Sequence, residues 1–150
     1  MKTHLILGIA ALTLPFMAMA DDKQDHKKDG GPQGGRVITV VEPHLEFFVT
    51  SDRKVELTSL SEELKPVKWS GQIVTVVAGE RGNPTKLEFG EKDGKLVSTN
   101  ALPEGNGYPV SVGIKKDADS KTVYDRFHLN MSKCPECSLA EYACVCEHTH

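Results

Sequence analysis

Tyr108-Pro-Val-Ser-Val-Gly-Ile-Lys115 puts Val110, Val112 and Ile114 at alternate positions. After the polar break Lys116–Ser120, the stretch Thr122-Val-Tyr-Asp-Arg-Phe-His-Leu-Asn-Met131 puts Val123, Asp125, Phe127, Leu129 and Met131 in one phase. A period of two is the signature of a strand with one face buried, because successive side chains point to opposite faces. Two such runs joined by a short polar turn predict an antiparallel pair.

The same pattern extends toward the N-terminus. Gln72–Ala78 contains Ile73, Val74, Val76 and Val77 and reads as a strand. Val37–Val41 is rich in β-branched residues. His44–Thr50 alternates Leu45, Phe47 and Val49 against His44, Glu46 and Phe48, with Glu42-Pro43 as a bend between the two runs. Lys54–Leu60 alternates Val55 and Leu57 with polar residues. Lys86–Phe89 and Leu96–Ser98 read as the arms of a hairpin around Asp93-Gly94. Ser61–Lys65 forms a helical turn or an irregular connection, ended by Pro66. About seven short strands with frequent turn signals and no sustained helical period predict an all-β, immunoglobulin-like antiparallel β-sandwich over residues 36–132. That region contains no cysteine, so an inter-sheet disulfide of the antibody type is excluded. Trp69, the only tryptophan, is expected as a core anchor or as a half-exposed loop residue.

The flanks differ in kind. Lys2, the apolar run Leu5–Met17 and the small-x-small triplet Ala18-Met19-Ala20 read as a signal peptide over residues 1–20, cleaved after Ala20. This predicts a periplasmic or secreted protein, and no later run is long and apolar enough to span a bilayer. Residues 21–35 carry no large apolar side chain and are expected to form a flexible polar arm. His26 with Asp21, Asp22 and Asp25 offers at most a weak metal contact there. The formal net charge of −3 with no clustered basic face argues against nucleic acid. No nucleophile elbow, phosphate-binding glycine loop or His-Glu-x-x-His helix occurs. The chain is therefore expected not to be an enzyme.

Residues 133–150 hold all the chemistry that stands out. Cys134-Pro-Glu-Cys137 brings two sulfurs together around a tight turn, and Cys144-Val-Cys146 supplies a second pair. His148 and His150 follow and could replace or supplement a sulfur. Two thiolate pairs complete a tetrahedral zinc site, and monovalent copper would accept two or three of these sulfurs. An oxidising compartment also permits two disulfides, for which cross-pairing Cys134 with Cys146 and Cys137 with Cys144 avoids the strained Cys-x-Cys ring. A redox-active pair is a third reading, but the thioredoxin-like βαβ context is absent. On the sandwich, His44 and Glu46 share one strand face and form either a secondary metal contact or part of a polar outer surface. His128 is expected on the solvent face.

The segments Gly31-Pro-Gln-Gly-Gly-Arg-Val37 and Glu42-Pro-His-Leu-Glu-Phe47 resemble a group of small bacterial periplasmic β-sandwich proteins that accompany heavy-metal efflux systems, and related segments occur in periplasmic efflux adaptor subunits. The resemblance covers roughly residues 30–60. It implies a metal-handling context, with a periplasmic efflux adaptor as partner. The motif there carries Gly-Pro-His-Gly-Gly followed by His-x-Glu; Gln33 stands in place of the first histidine, so only His44 and Glu46 carry over. The resulting expectation is a zinc- or copper-binding accessory, buffer or carrier. The alternative is a disulfide-stapled structural or interaction module of the cell envelope.

Overall fold

The computed structural model describes residues 30–146. The leader, His26, His148 and His150 lie outside the described residues. Ten strands follow in order: β1 (Arg36–Ile38), β2 (His44–Val49), β3 (Val55–Leu60), β4 (Pro66–Val67), β5 (Ile73–Ala78), β6 (Thr85–Leu87), β7 (Phe89–Lys92), β8 (Lys95–Ser98), β9 (Tyr108–Lys115) and β10 (Val123–Leu129). A single 3-10 turn, Glu141–Ala143, comes last. One sheet has the order β1-β2-β3-β8-β7, with β4 also paired to β3; the other runs β10-β9-β5-β6. Every strand pairing is antiparallel. The architecture is the expected β-sandwich.

The alternation in the sequence sets which faces meet. Ile38, Leu45, Phe47, Val55 and Leu57 line the inner face of the first sheet, and Val76, Ala78, Val110, Val112, Ile114 and Leu129 that of the second; each is at most 2% exposed. Phe127 meets Phe47 edge-on at 5.2 Å between ring centroids. Arg36 and Asp125 fasten the β1 and β10 edges together, with Arg36 Nε donating to Asp125 Oδ2 at 2.9 Å and Nη2 to Oδ1 at 3.3 Å. The Arg36 guanidinium also lies over the Phe127 ring. Trp69 is half-buried and packs against the core.

Three local expectations change. The run Lys86–Phe89 is not one strand: β6 pairs with β5 in the second sheet, whereas β7 pairs with β8 in the first. Glu88 is where the chain crosses between sheets, and its N–H donates to Asn100 Oδ1 instead of a neighbouring strand. The β7–β8 hairpin keeps the expected Asp93-Gly94 turn, with both φ angles positive at 53° and 77°, as a type I′ turn needs. The first strand stops at Ile38, and Val40 is 51% exposed before the bend at Glu42-Pro43.

The polar arm, expected to reach residue 35, gives way earlier to a built turn. Gly34 N–H donates to Gly31 O at 2.8 Å and Gly31 N–H to Gly35 O at 3.0 Å. This turn lies over the outer face of the first sheet and closes on Glu46. Glu46 Oε1 accepts the N–H groups of Gln33 at 2.8 Å and Gly35 at 2.9 Å. A Cβ on Gly35 would sit 2.5 Å from the Phe47 carbonyl oxygen, so the close approach needs glycine.

Candidate metal centre

After β10 the chain turns back on itself, and backbone hydrogen bonds hold the return. Tyr142 N–H donates to Asn130 O at 3.0 Å and Glu141 N–H to Ser132 O at 2.9 Å, while Lys133 and Ala140 form an isolated antiparallel bridge. Between these two residues the Cys134–Cys137 loop folds into a knuckle. Cys134 N–H donates to Leu139 O at 2.7 Å and Ser138 N–H to Cys134 O at 3.1 Å. Ser138 takes the left-handed conformation, φ 63°, that lets the chain leave the knuckle.

The tail is docked on the sandwich. Tyr142 and Ala143 are buried in the same core cluster as Phe47. The Tyr142 ring packs on Phe47 and Phe127, with centroids 6.2 and 6.4 Å away. Its hydroxyl accepts the Val49 N–H at 3.0 Å. Burial raises the Tyr142 pKa, so the phenol stays neutral. Leu139 packs over the glycine turn, since a Cβ on Gly30 would lie 2.7 Å from Leu139 Cδ1. Tyr142→Phe keeps the packing but leaves the Val49 N–H without its acceptor. It should lower unfolding stability by about 1–2 kcal/mol in urea titration with the metal content unchanged.

Docking brings the two cysteine pairs together. All four sulfurs lie within 4.8 Å of one another, with Cys134–Cys144 at 3.5 Å and Cys137–Cys144 at 3.7 Å. Four sulfurs each about 2.3 Å from one zinc ion would be about 3.8 Å apart at the corners of a tetrahedron. No disulfide joins these four sulfurs, so the cross-pairing weighed as the alternative to a metal site is not seen among the described residues. Cys134 is 2% exposed, and the other three are half-buried. An ion at this centre would be shielded on the Cys134 side and approachable on the other.

The electrostatics divide the site. Backbone hydrogen bonds from Cys137 and then Glu136 lower the Cys134 pKa, and one from Leu139 leads in lowering Cys137 to about 7. Burial raises Cys144 and pushes Cys146 far up, with the neighbouring Cys137 adding to the effect on Cys146. Four thiolates this close repel one another, and a bound cation is what makes all four stable as anions. The metal-free protein should therefore react with iodoacetamide at pH 7.5 fastest at Cys137 and slowest at Cys146, as peptide mass mapping would read.

The remaining sequence candidates among the described residues lie apart from this cluster. Among the described residues the four cysteines are the group of three or more ligand-type side chains that converges. His44 Nδ1 is 2.8 Å from Val41 O. Glu46 is wholly buried, and its Oε1 is engaged by the glycine turn. His128 is exposed, as expected. The anchoring role of Tyr142 was missed; its one sequence signal is that it is the lone large aromatic of the tail, between Glu141 and Ala143.

Comparison of the chain with protein-family models, curated proteins and solved structures finds no match. No helix among the described residues is long and apolar enough to cross a membrane.

Proposed function

We propose that this protein binds one zinc ion through Cys134, Cys137, Cys144 and Cys146 and serves as a metal-handling accessory, buffer or carrier. The convergence of four cysteine sulfurs at tetrahedral spacing carries the reading. Zinc takes a closed set of four sulfurs with no geometric penalty, whereas monovalent copper commonly takes two or three. The half-buried Cys137, Cys144 and Cys146 leave the ion a route in and out, which suits exchange. His148 and His150, close behind in sequence, are available to receive an ion in transfer. The signal-like leader and the resemblance at residues 30–60 support a role in the periplasm or outside the cell, with an efflux adaptor as partner. No step of catalysis belongs to this reading.

A second reading draws on the buried Tyr142 and Ala143 between the cysteine pairs. There the tail is a clamp that completes an envelope interaction module, held by the ion or, after oxidation, by disulfides. Competitive titration with a chromogenic chelator separates the two. An exchangeable carrier gives up zinc to the chelator within minutes while the sandwich stays folded; a clamp loses tertiary structure along with the ion. Metal affinity should also fall as pH drops through 7 toward 5, because each proton that returns to a thiolate competes with the ion. An affinity flat across that range would exclude thiolate ligation.

A further inference from the structure

The outer face of the second sheet carries a groove of about 520 Å³ on the side of β10 facing away from the core. Asp125, Phe127 and Leu129 point inward from β10, so Arg126 and His128 project outward from the same strand. Arg81, in the loop between β5 and β6, closes the opposite wall. Val77, Pro84 and Pro109 make the floor between them apolar. The Arg126 guanidinium sits 4.6 Å from the Tyr124 ring centroid, a stack that holds it in place. The ring of His128 rests on Gly107, where an added Cβ would be 3.3 Å from Cε1.

Neither arginine is spent on the fold. The ion pairs among the described residues join Arg36 to Asp125, Lys54 to Asp52, Lys65 to Glu63 and Lys95 to Glu56, and none involves Arg81 or Arg126. On a chain of net charge −3, two guanidinium groups without carboxylate partners flanking one groove form a local centre of positive charge. Guanidinium forks favour carboxylates, and the volume lies within the range of small-ligand clefts. A free inorganic anion would satisfy the charge and leave the apolar floor uncovered. An extended peptide that alternates acidic with apolar side chains covers both.

We propose that this groove docks an acidic peptide segment of a partner protein, with Arg81 and Arg126 receiving its carboxylates and Val77, Pro84 and Pro109 its apolar side chains. The site is separate from the four cysteines and does not depend on metal.

The test is an NMR titration of the full mature chain with an eight-residue peptide alternating glutamate with leucine or proline. The matched glutamine peptide and inorganic phosphate serve as comparisons. The acidic peptide should shift the backbone amides of Val77, Ser111, Arg126 and His128. Its affinity should fall about ten-fold in the R81Q/R126Q variant and weaken as salt rises. Both arginines are exposed, so the variant should fold, and an unchanged circular dichroism spectrum checks this. Equal binding of the glutamine peptide, shifts confined to other surfaces, or no shift at millimolar peptide would overturn the proposal. So would phosphate reproducing the shifts while the peptide does not.

Discussion

Replacing Cys144 and Cys146 with serine should take bound zinc from about one ion per chain to near zero, because only two sulfurs of the tetrahedral set remain. This is the largest effect expected of any change outside the core. The sandwich should survive it. Tyr142 and Ala143 stay buried against Phe47 and Phe127 through packing that does not involve sulfur, and the backbone bonds to Asn130 and Ser132 are untouched. Elemental analysis alongside far-ultraviolet circular dichroism reads both halves of the prediction. Loss of the β signal in the variant would mean that the ion holds the fold together and is not cargo.

The second large effect is the opposite in kind. Glu46→Ala should destabilise the fold by about 2–5 kcal/mol, since it strips the acceptor from two amide donors, Gln33 and Gly35. A loss of that size lowers the melting temperature by roughly 10 °C or more for a domain near this size. Zinc content should not change, because Glu46 lies outside the sulfur cluster. The pair of variants thus divides the molecule: one loses metal and keeps its fold, the other keeps metal and loses stability. A drop in zinc content for Glu46→Ala, measured below its melting temperature, would return the carboxylate to the ligand set.

Glu46 also shows where sequence reading reaches its limit. Its place beside His44 on one strand face was legible, because alternation fixes the face. Its burial was not, because what covers it is a glycine turn from earlier in the chain whose amides close on Oε1. The glycines of Gly31-Pro-Gln-Gly-Gly35 fit this structural duty directly: side chains at Gly31 and Gly35 would collide with Glu46. Strand identity was legible at Val110, Val112 and Ile114, where the period of two coincides with full burial. Partner choice was not. Lys86 to Phe89 looks like one strand locally, and only nonlocal pairing to β5 on one side and β8 on the other splits it at Glu88.

The cysteine cluster divides in the same manner. Spacing alone nominated the four cysteines, because a Cys-x-x-Cys turn and a Cys-x-Cys pair each hold two sulfurs close. That the pairs converge depends on the 3-10 turn Glu141–Ala143, and that turn is fixed by Tyr142 entering the aromatic cluster. A single tyrosine in a short tail carries little periodic signal. Its role comes from Phe47 and Phe127, which lie in different sheets and share it.

Protein purified from its native compartment decides whether the four cysteines hold zinc. Metal content and free thiols are counted on one sample, the thiols after denaturation in chelator without reductant. A single tetrahedral site gives about one zinc ion per chain, and all four cysteines are then counted as thiols. No metal and almost no free thiol would contradict it and identify the tail as disulfide-stapled.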